Sequence, residues 1–273
     1  MPLTPELIEA YEQALYVLQG GTVLRVGEPS AALQSLLEAQ GAASAAFVTA
    51  ANPRGEARSE AANAAAMSAL VASLAWPYLA GEGRDPHGRW RAEPSVLVLG
   101  ISRAQAEELG RRLEQNAIVF VEKGAAPELV LMRRMRLVID TQVWLDWLVF
   151  ADPSVAGLRA SVERGRAEVL IDAAGLAELE RVLAYPLGKR AVDAAACLAA
   201  CQKIATRVEA GSGEAALLPP LPMCRDPDDQ KFVTLAARAR ADCLVTRDRE
   251  LLRLNERCKA WFQVVSPAAF ARR

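Results

Sequence analysis

The chain has 273 residues, of which 52% are hydrophobic and 24% are charged; this globular composition excludes an intrinsically disordered protein. The formal net charge is -1, which excludes a global positive field, so a polyanion would have to bind a local basic patch or a metal ion. The length exceeds that of one typical domain and predicts two.

The distribution of cysteine and of apolar residues predicts a cytoplasmic protein that is not associated with a membrane. The N-terminus lacks a basic region followed by an apolar core, and no apolar run approaches the ~20 residues that cross a bilayer. Five cysteines without a CxxC pair, together with a single histidine, argue against a disulfide framework and a zinc site. We therefore expect free, reduced cysteines.

The first half alternates helices and strands, which predicts a compact α/β domain over residues 1–124. A helix begins at Thr4-Pro5, and its apolar stripe, with Leu7 and Tyr11 among its members, continues to Gly20-Gly21. Strands are expected at 22–26, 45–49, 96–100 and 117–121. Helices are expected at 30–40, between the turn 52–55 and Trp76, and at 104–113, with a loop at 81–88.

A linker is predicted over residues 125–134. Gly124 and Pro127 give a turn signal, and a basic run follows from Met132 to Arg136. Two interpretations of this run are equally open, since its arginines could flank a strand or contact RNA. We place the domain boundary here.

The second half, residues 135–273, alternates strands and helices more regularly, which predicts a parallel sheet. Strands are expected to end at Asp140 and to cover 168–171, 242–246 and 262–265. Helices are expected through Phe150 and Val162, and at 173–185, 189–208, 228–240 and 250–254. In parallel sheets, ligands bind beyond the carboxyl ends of the strands, where Asp140 and Asp248 fall.

Four carboxylates at the edges of apolar segments are the main candidate site: Asp140, Glu178, Asp229 and Asp248. Carboxylates are costly beside a hydrophobic core, and several brought together repel one another unless a cation lies between them. A hard divalent ion, Mg²⁺ or Mn²⁺, is the economical explanation.

Purely structural roles are open for several acidic residues. Asp226 precedes Pro227 and is a natural helix N-cap, while Asp228 and Asp229 both have spacings compatible with the apolar face of the following helix. A solvated surface position is about as plausible for Glu178 as a site role. Asp146 is expected to be an exposed helix residue and Asp172 a helix cap.

Four segments, in this order, resemble the PIN domain, most closely the branch assigned to toxin components of toxin–antitoxin systems: Leu137–Leu145, Leu179–Pro186, Cys224–Phe232 and Leu244–Asp248. The resemblance covers about Met135 to Arg273. It implies an α/β/α sandwich with a parallel sheet, and metal-dependent cleavage of single-stranded RNA that leaves 5′-phosphate and 3′-hydroxyl ends.

The resemblance also implies roles for particular residues. The metal and catalytic carboxylates carry over onto Asp140, Glu178, Asp229 and Asp248, with Thr246 and Asp226 in support. The family usually has asparagine where this chain has Gln142, whose extra methylene could disturb the hydrogen bonds that orient Asp140.

The predicted function is therefore a Mg²⁺- or Mn²⁺-dependent endoribonuclease in which Arg225, Lys231 and Arg247 bind RNA phosphates. An antitoxin protein and a second copy of the chain are candidate partners. The alternative is a catalytically silent PIN scaffold that binds RNA or protein, with the N-terminal domain as a ligand sensor.

Segments of the first half resemble an uncharacterised bacterial domain of unknown function: Phe47–Pro53, Gly81–Gly83, Glu93–Ser95 and Gln115–Ile118. Polar residues beside its apolar strands could line a pocket: Asn52, Glu82, Glu93, Gln115 and Asn116. Turn formation and internal hydrogen bonds explain these residues as well, and that interpretation is favoured.

Overall fold

The computed structural model describes residues 2–88, 90–187, 192–209 and 220–271. The chain forms two compact units: one comprises Glu6–Arg133, and the other comprises Pro2–Pro5 together with Arg134–Arg273. Within the described ranges, no helix is long and apolar enough to cross a membrane.

The first unit is built around one antiparallel sheet. Its elements are, in chain order, α1 (Pro5–Gln13), β1 (Leu15–Leu18), β2 (Val23–Leu24), α2 (Ala31–Ala39), β3 (Ser44–Val48), α3 (Glu60–Ser73), β4 (Tyr78–Arg84), β5 (Glu93–Leu99), α4 (Arg103–Arg112), β6 (Ala117–Glu122) and β7 (Glu128–Leu131). The seven strands pair in the order β2-β1-β4-β5-β3-β6-β7.

Both faces of this sheet are apolar because helices cover both. Alternate residues of a strand point to opposite faces, so Phe47 packs with Leu33 of α2 while Val48 packs with Met67 of α3. Burial on both sides explains why β3, β5 and β6 are continuous apolar runs in the sequence.

Three predictions for the first half differ from the structure. The first helix ends at Gln13, and Leu15–Leu18 forms β1, because this segment pairs with residues 81–84 of β4. The predicted loop 81–88 is therefore half strand. The predicted linker 125–134 includes β7, which pairs with β6 at the edge of the sheet.

The second unit has the following elements: β8 (Met135–Ile139), α5 (Thr141–Leu145), α6 (Ala156–Glu163), β9 (Ala167–Ile171), α7 (Ala173–Leu183), α8 (Ala194–Ile204), β10 (Ala205–Arg207), α9 (Gln230–Arg238), β11 (Cys243–Val245), α10 (Arg249–Leu252), α11 (Asn255–Cys258), β12 (Gln263–Val265) and α12 (Pro267–Ala271). A π-helical turn at Asp146–Phe150 continues α5, and a single 3-10 turn at Pro227–Asp229 precedes α9.

The five strands of the second unit form a parallel sheet in the order β10-β9-β8-β11-β12, which confirms the predicted fold class. The predicted helix 189–208 is shorter than expected: α8 ends at Ile204, and Ala205–Arg207 pairs with β9 as the edge strand. Residues 189–191 lie outside the described part of the chain.

Two residues of the candidate site directly follow the ends of the neighbouring strands β8 and β11. Ile139 pairs with Val245, and the backbone amide of Asp140 donates to the carbonyl of Val245 at 3.2 Å. Asp140 and Thr246 thus leave the sheet side by side at its carboxyl edge, the position at which parallel sheets bind ligands.

A carboxylate-lined candidate active site

Asp140 is fixed in place at the junction of β8 and α5. Its side chain is 4% exposed. One carboxylate oxygen accepts from the backbone amide of Val143 at 2.8 Å and thereby caps α5. The other accepts from the hydroxyl of Thr246 and, at 3.3 Å, from the backbone amide of Arg247. Burial raises the pKa of Asp140, and these hydrogen bonds counter part of that rise.

Asp248 lies on the loop that follows β11. Its carboxylate accepts from the backbone amides of Glu250 at 2.7 Å and Leu251 at 2.9 Å, so it is the N-cap of α10. Its own amide donates to the hydroxyl of Thr246 at 2.9 Å. Thr246 therefore links Asp140 and Asp248, and it is fully buried.

Glu178 projects from the middle of α7 and forms an ion pair with Lys231 of α9. The Glu178 side chain is 17% exposed and that of Lys231 is 25% exposed. The fully solvated surface position considered for Glu178 is thereby excluded.

Asp229 ends the 3-10 turn before α9 and is half-buried. Burial and the negative charges of Asp248, Asp226 and Asp140 raise the pKa of Asp229 to about 6, and Lys231 offsets part of this effect. A carboxylate whose pKa is raised by three other carboxylates occupies a site that favours a positive charge.

The structure separates the three aspartates of this turn. Asp226 accepts from the backbone amide of Asp228 at 2.9 Å and is the N-cap of the turn, as its sequence position predicts. The side chain of Asp228 is exposed, whereas Asp229 faces the cavity described next.

All four predicted carboxylates line one cavity of about 440 Å³. They come from four places in the chain: the ends of β8 and β11, the middle of α7, and the turn before α9. The other residues of the wall are Thr141, Gln142, Leu145, Val182, Phe232 and Arg247.

Gln142 and Arg247 join a second set of polar contacts beside Asp140. The amide nitrogen of Gln142 donates to Asp146 at 3.2 Å, and the guanidinium of Arg247 pairs with Asp146 at 2.5 Å and with Asp152 at 3.1 Å. The hydrogen bonds that orient Asp140 come from Val143, Thr246 and Arg247, so the longer side chain of Gln142 leaves them in place.

The prediction of an exposed Asp146 was wrong, since this residue is 4% exposed. Its spacing of four from Gln142 places the two side chains on the same face of the helical segment, and the distant Arg247 compensates its buried charge. The contact between Gln142 and Asp146 can be predicted from their spacing in the sequence. The contact between Arg247 and Asp146 cannot, because it depends on the pairing of β8 with β11. Asp172 is a helix cap as predicted and also pairs with Arg238 at 3.1 Å.

The three predicted RNA-binding residues differ in their surroundings. Arg225 is exposed next to the turn that carries Asp229. Lys231 is engaged with Glu178 and donates to the backbone carbonyl of Asp228 at 2.7 Å. Arg247 is held by Asp146 and Asp152, with its backbone amide on Asp140.

The donor set of the cavity suits a hard divalent cation, because carboxylate oxygens are the ligands that Mg²⁺ and Mn²⁺ prefer. Among the described residues, however, no group of three or more His, Cys, Asp or Glu side chains is close enough together to hold a metal ion. The partners of the carboxylates explain this spacing: Glu178 turns to Lys231, and Asp248 turns to the amides of α10. The residues fit the ion in chemistry, and side-chain rotation would have to supply the geometry.

The second unit is thus an α/β domain with an acidic cavity at the carboxyl edge of its parallel sheet. Residues 136–250 match the family model described as the PIN domain. This match confirms the resemblance of the second half to the PIN domain that its four motifs indicate. PIN domains are generally nucleases, commonly ribonucleases.

Residues 48–118 match the model described as "Protein of unknown function (DUF3293)", in agreement with the resemblance noted for the first half. No curated protein shows significant similarity to the chain.

Proposed function

We propose that the second unit is a Mg²⁺- or Mn²⁺-dependent endoribonuclease that cleaves single-stranded RNA. The observation that carries the proposal is the convergence of Asp140, Glu178, Asp229 and Asp248 on one cavity. The PIN match supports a nucleic-acid substrate.

The four carboxylates would together act as ligands of the ion. Asp140 is the most rigid of them, because Thr246, Val143 and Arg247 fix both of its oxygens. A cation would offset the unfavourable surroundings of Asp229, whose pKa is raised by burial and by the negative charges of neighbouring carboxylates. An ion held by these carboxylates would activate water at neutral pH and offset the negative charge that develops on the phosphate.

Basic side chains next to the acids would position the RNA backbone. Arg225 is exposed beside Asp229, and Lys231 lies against Glu178 at the cavity wall. Phosphate contacts of this kind release counterions, so RNA binding should weaken steeply as salt is raised. Arg247 has a different role in this scheme: its side chain is held by acids, and its backbone amide orients Asp140.

The test is cleavage of end-labelled single-stranded RNA by the full chain with Mn²⁺, and again with EDTA. Asp140→Asn should lower the rate by at least about a hundredfold, because the variant loses one charge of the ion site while keeping similar size. The matched control is Asp193→Asn, which removes the carboxylate cap of α8 and does not touch the cavity. Cleavage that persists through chelation, or in Asp140→Asn, would sink the proposal.

A second candidate is a silent PIN scaffold that binds RNA or protein without cutting. The ion pair between Lys231 and Glu178 favours it, because an ammonium group already neutralises one of the four acids. In that case RNA would bind equally well with Mn²⁺ and with EDTA and would remain intact.

A toxin role is a narrower proposal. It rests only on the resemblance of the four sequence motifs to the branch of the PIN family assigned to toxin components. The cheapest test is the neighbouring gene. A small adjacent gene for a DNA-binding protein whose product blocks RNA cleavage would support the role, and cleavage that no neighbouring product inhibits would speak against it.

A further inference from the structure

The first unit contains a second cavity, of about 280 Å³, within its own fold. It lies where β3 ends and where β5 and β6 begin, and α1 covers it with Leu7 and Tyr11. Its wall is mainly apolar, and its volume is at the small end of the range for ligand pockets.

Four aromatic side chains form much of the wall: Tyr11, Tyr16, Phe47 and Trp90. The rings of Tyr16 and Phe47 meet edge to face, with centroids 5.2 Å apart. Gly81 makes room for this arrangement, since a Cβ on it would lie 3.0 Å from the Phe47 ring and 2.6 Å from the carbonyl oxygen of Val17. Aromatic faces attract cations through their quadrupole.

Glu93 is the one charged residue among the described residues that line the cavity, and none of them is Lys, Arg or His. Asn52 donates to its carboxylate at 2.5 Å. Asn52 is itself held by Arg58 and Asn63, through bonds of 2.9 and 3.0 Å to its side-chain oxygen. The carboxylate is therefore positioned by a fixed partner.

The charge of Glu93 sits in an unfavourable environment. Burial raises the pKa of Glu93, and the hydrogen bond from Asn52 offsets only part of this effect. A carboxylate in an apolar pocket is stabilised when a positive charge approaches it. An anionic ligand would add repulsion to the cost of burial, and a purely apolar ligand would remove water from the carboxylate without replacing it.

We propose that this cavity binds a small organic cation, an amine with an aromatic or short aliphatic body, whose ammonium group faces Glu93 and whose body lies against the aromatic wall. The sequence favoured internal hydrogen bonding as the role of Asn52 and Glu93. In the structure both residues also line the cavity, so this proposal adds a ligand-binding role. Gln115 lines it too, whereas Glu82 and Asn116 lie outside the wall. The inference is independent of RNA cleavage by the second unit.

Calorimetric titration of the full chain with three probes of matched shape tests the proposal: 2-phenylethylamine, 2-phenylethanol and phenylacetate. The amine should bind at least about tenfold more tightly than the alcohol, and phenylacetate should bind most weakly. Glu93→Gln keeps an oxygen for the bond from Asn52 and should abolish the preference for the amine.

The control is Glu82→Gln, which removes a carboxylate of β4 that pairs with Arg84 and does not line the cavity; the amine preference should survive in it. The proposal is overturned if the wild-type chain binds none of the probes, or binds the alcohol or phenylacetate as tightly as the amine. Retention of the preference in Glu93→Gln would overturn it as well. The comparison of the three probes on the wild-type chain tests the proposal even if a variant fails to fold.

Discussion

Asp229 shows how the site is built at the scale of single residues. Its pKa of about 6 comes from burial and from three neighbouring carboxylates. The folded state therefore binds a proton at Asp229 more readily than the unfolded chain does. Stability that depends on this group is highest when Asp229 is protonated and falls as the pH rises from about 4 through 6.

Replacing Asp229 should accordingly stabilise the protein, in the presence of a chelator, at neutral pH. We expect Asp229→Asn to raise the free energy of unfolding by about 1 kcal/mol near pH 7.5, a figure reduced for solvent screening of this half-exposed group. The gain should be much smaller near about pH 4.5, where the folded-state carboxylate is mostly protonated, and it should vanish only below about pH 4, where the unfolded chain is protonated as well. Urea unfolding of both proteins at the two pH values measures the difference. A gain of equal size at both would contradict the electrostatic origin.

The candidate site was predictable from the sequence because each acid sits next to an apolar segment. Strand ends located Asp140 and Asp248, whereas helical periodicity allowed inward positions for Glu178 and Asp229 without excluding a solvated Glu178 or an inward Asp228. What could not be predicted are the partners of these acids: the pairing of Lys231 with Glu178, and of Arg247 with Asp146, joins residues that only the assembled sheet brings together. Spacing along the chain carries no information on such contacts.

At the scale of elements, long-range pairing decided where prediction failed. Buried runs such as β3, β6 and β8 are strands by composition alone. Residues 15–18 fit the end of a helical stripe, and residues 81–84 contain two glycines typical of a loop, yet the two segments pair with each other. Each becomes a strand because the other supplies its hydrogen bonds.

The pairing of β1 with β4 requires a glycine at position 81, because there is no space for a side chain there. A Cβ there would lie 2.6 Å from the Val17 carbonyl oxygen, so Gly81→Ala forces β1 and β4 apart. We expect a loss of about 1–3 kcal/mol in the free energy of unfolding of the first unit. Gly83→Ala is the matched control, because a Cβ at Gly83 meets only the Trp90 ring at an ordinary 3.8 Å. Equal effects of the two substitutions in urea unfolding would show that the close approach is unimportant.

At the scale of the whole molecule, the division into two units does not follow the chain order strictly. Residues 2–5 belong to the second unit, although the first unit begins at Glu6. Leu3 is fully buried, and its amide donates at 2.6 Å to Asp242, whose other oxygen accepts from the amide of Arg136 at 2.9 Å. Nothing in the local sequence indicates this, since the partners of Leu3 lie more than a hundred residues away.

Shortening the side chain of Leu3 should therefore destabilise the second unit, although Leu3 lies at the start of the chain. We expect Leu3→Ala to cost about 2–5 kcal/mol, because it leaves a cavity in a closed core. Hydrogen exchange read by mass spectrometry should show faster exchange in β8 and β11, with β3 and β6 unchanged. Leu33→Ala, an equally buried leucine of α2, should give the opposite pattern. Faster exchange confined to the first unit in Leu3→Ala would refute the assignment.

Titration of Mn²⁺ into the full chain by calorimetry tests most directly whether the four carboxylates form an ion site. We predict saturable binding that Asp140→Asn and Asp229→Asn each weaken at least about tenfold, and that Asp193→Asn leaves unchanged. The absence of saturable binding, or binding that is as strong in Asp140→Asn and Asp229→Asn as in the wild-type chain, would contradict a metal site in this cavity.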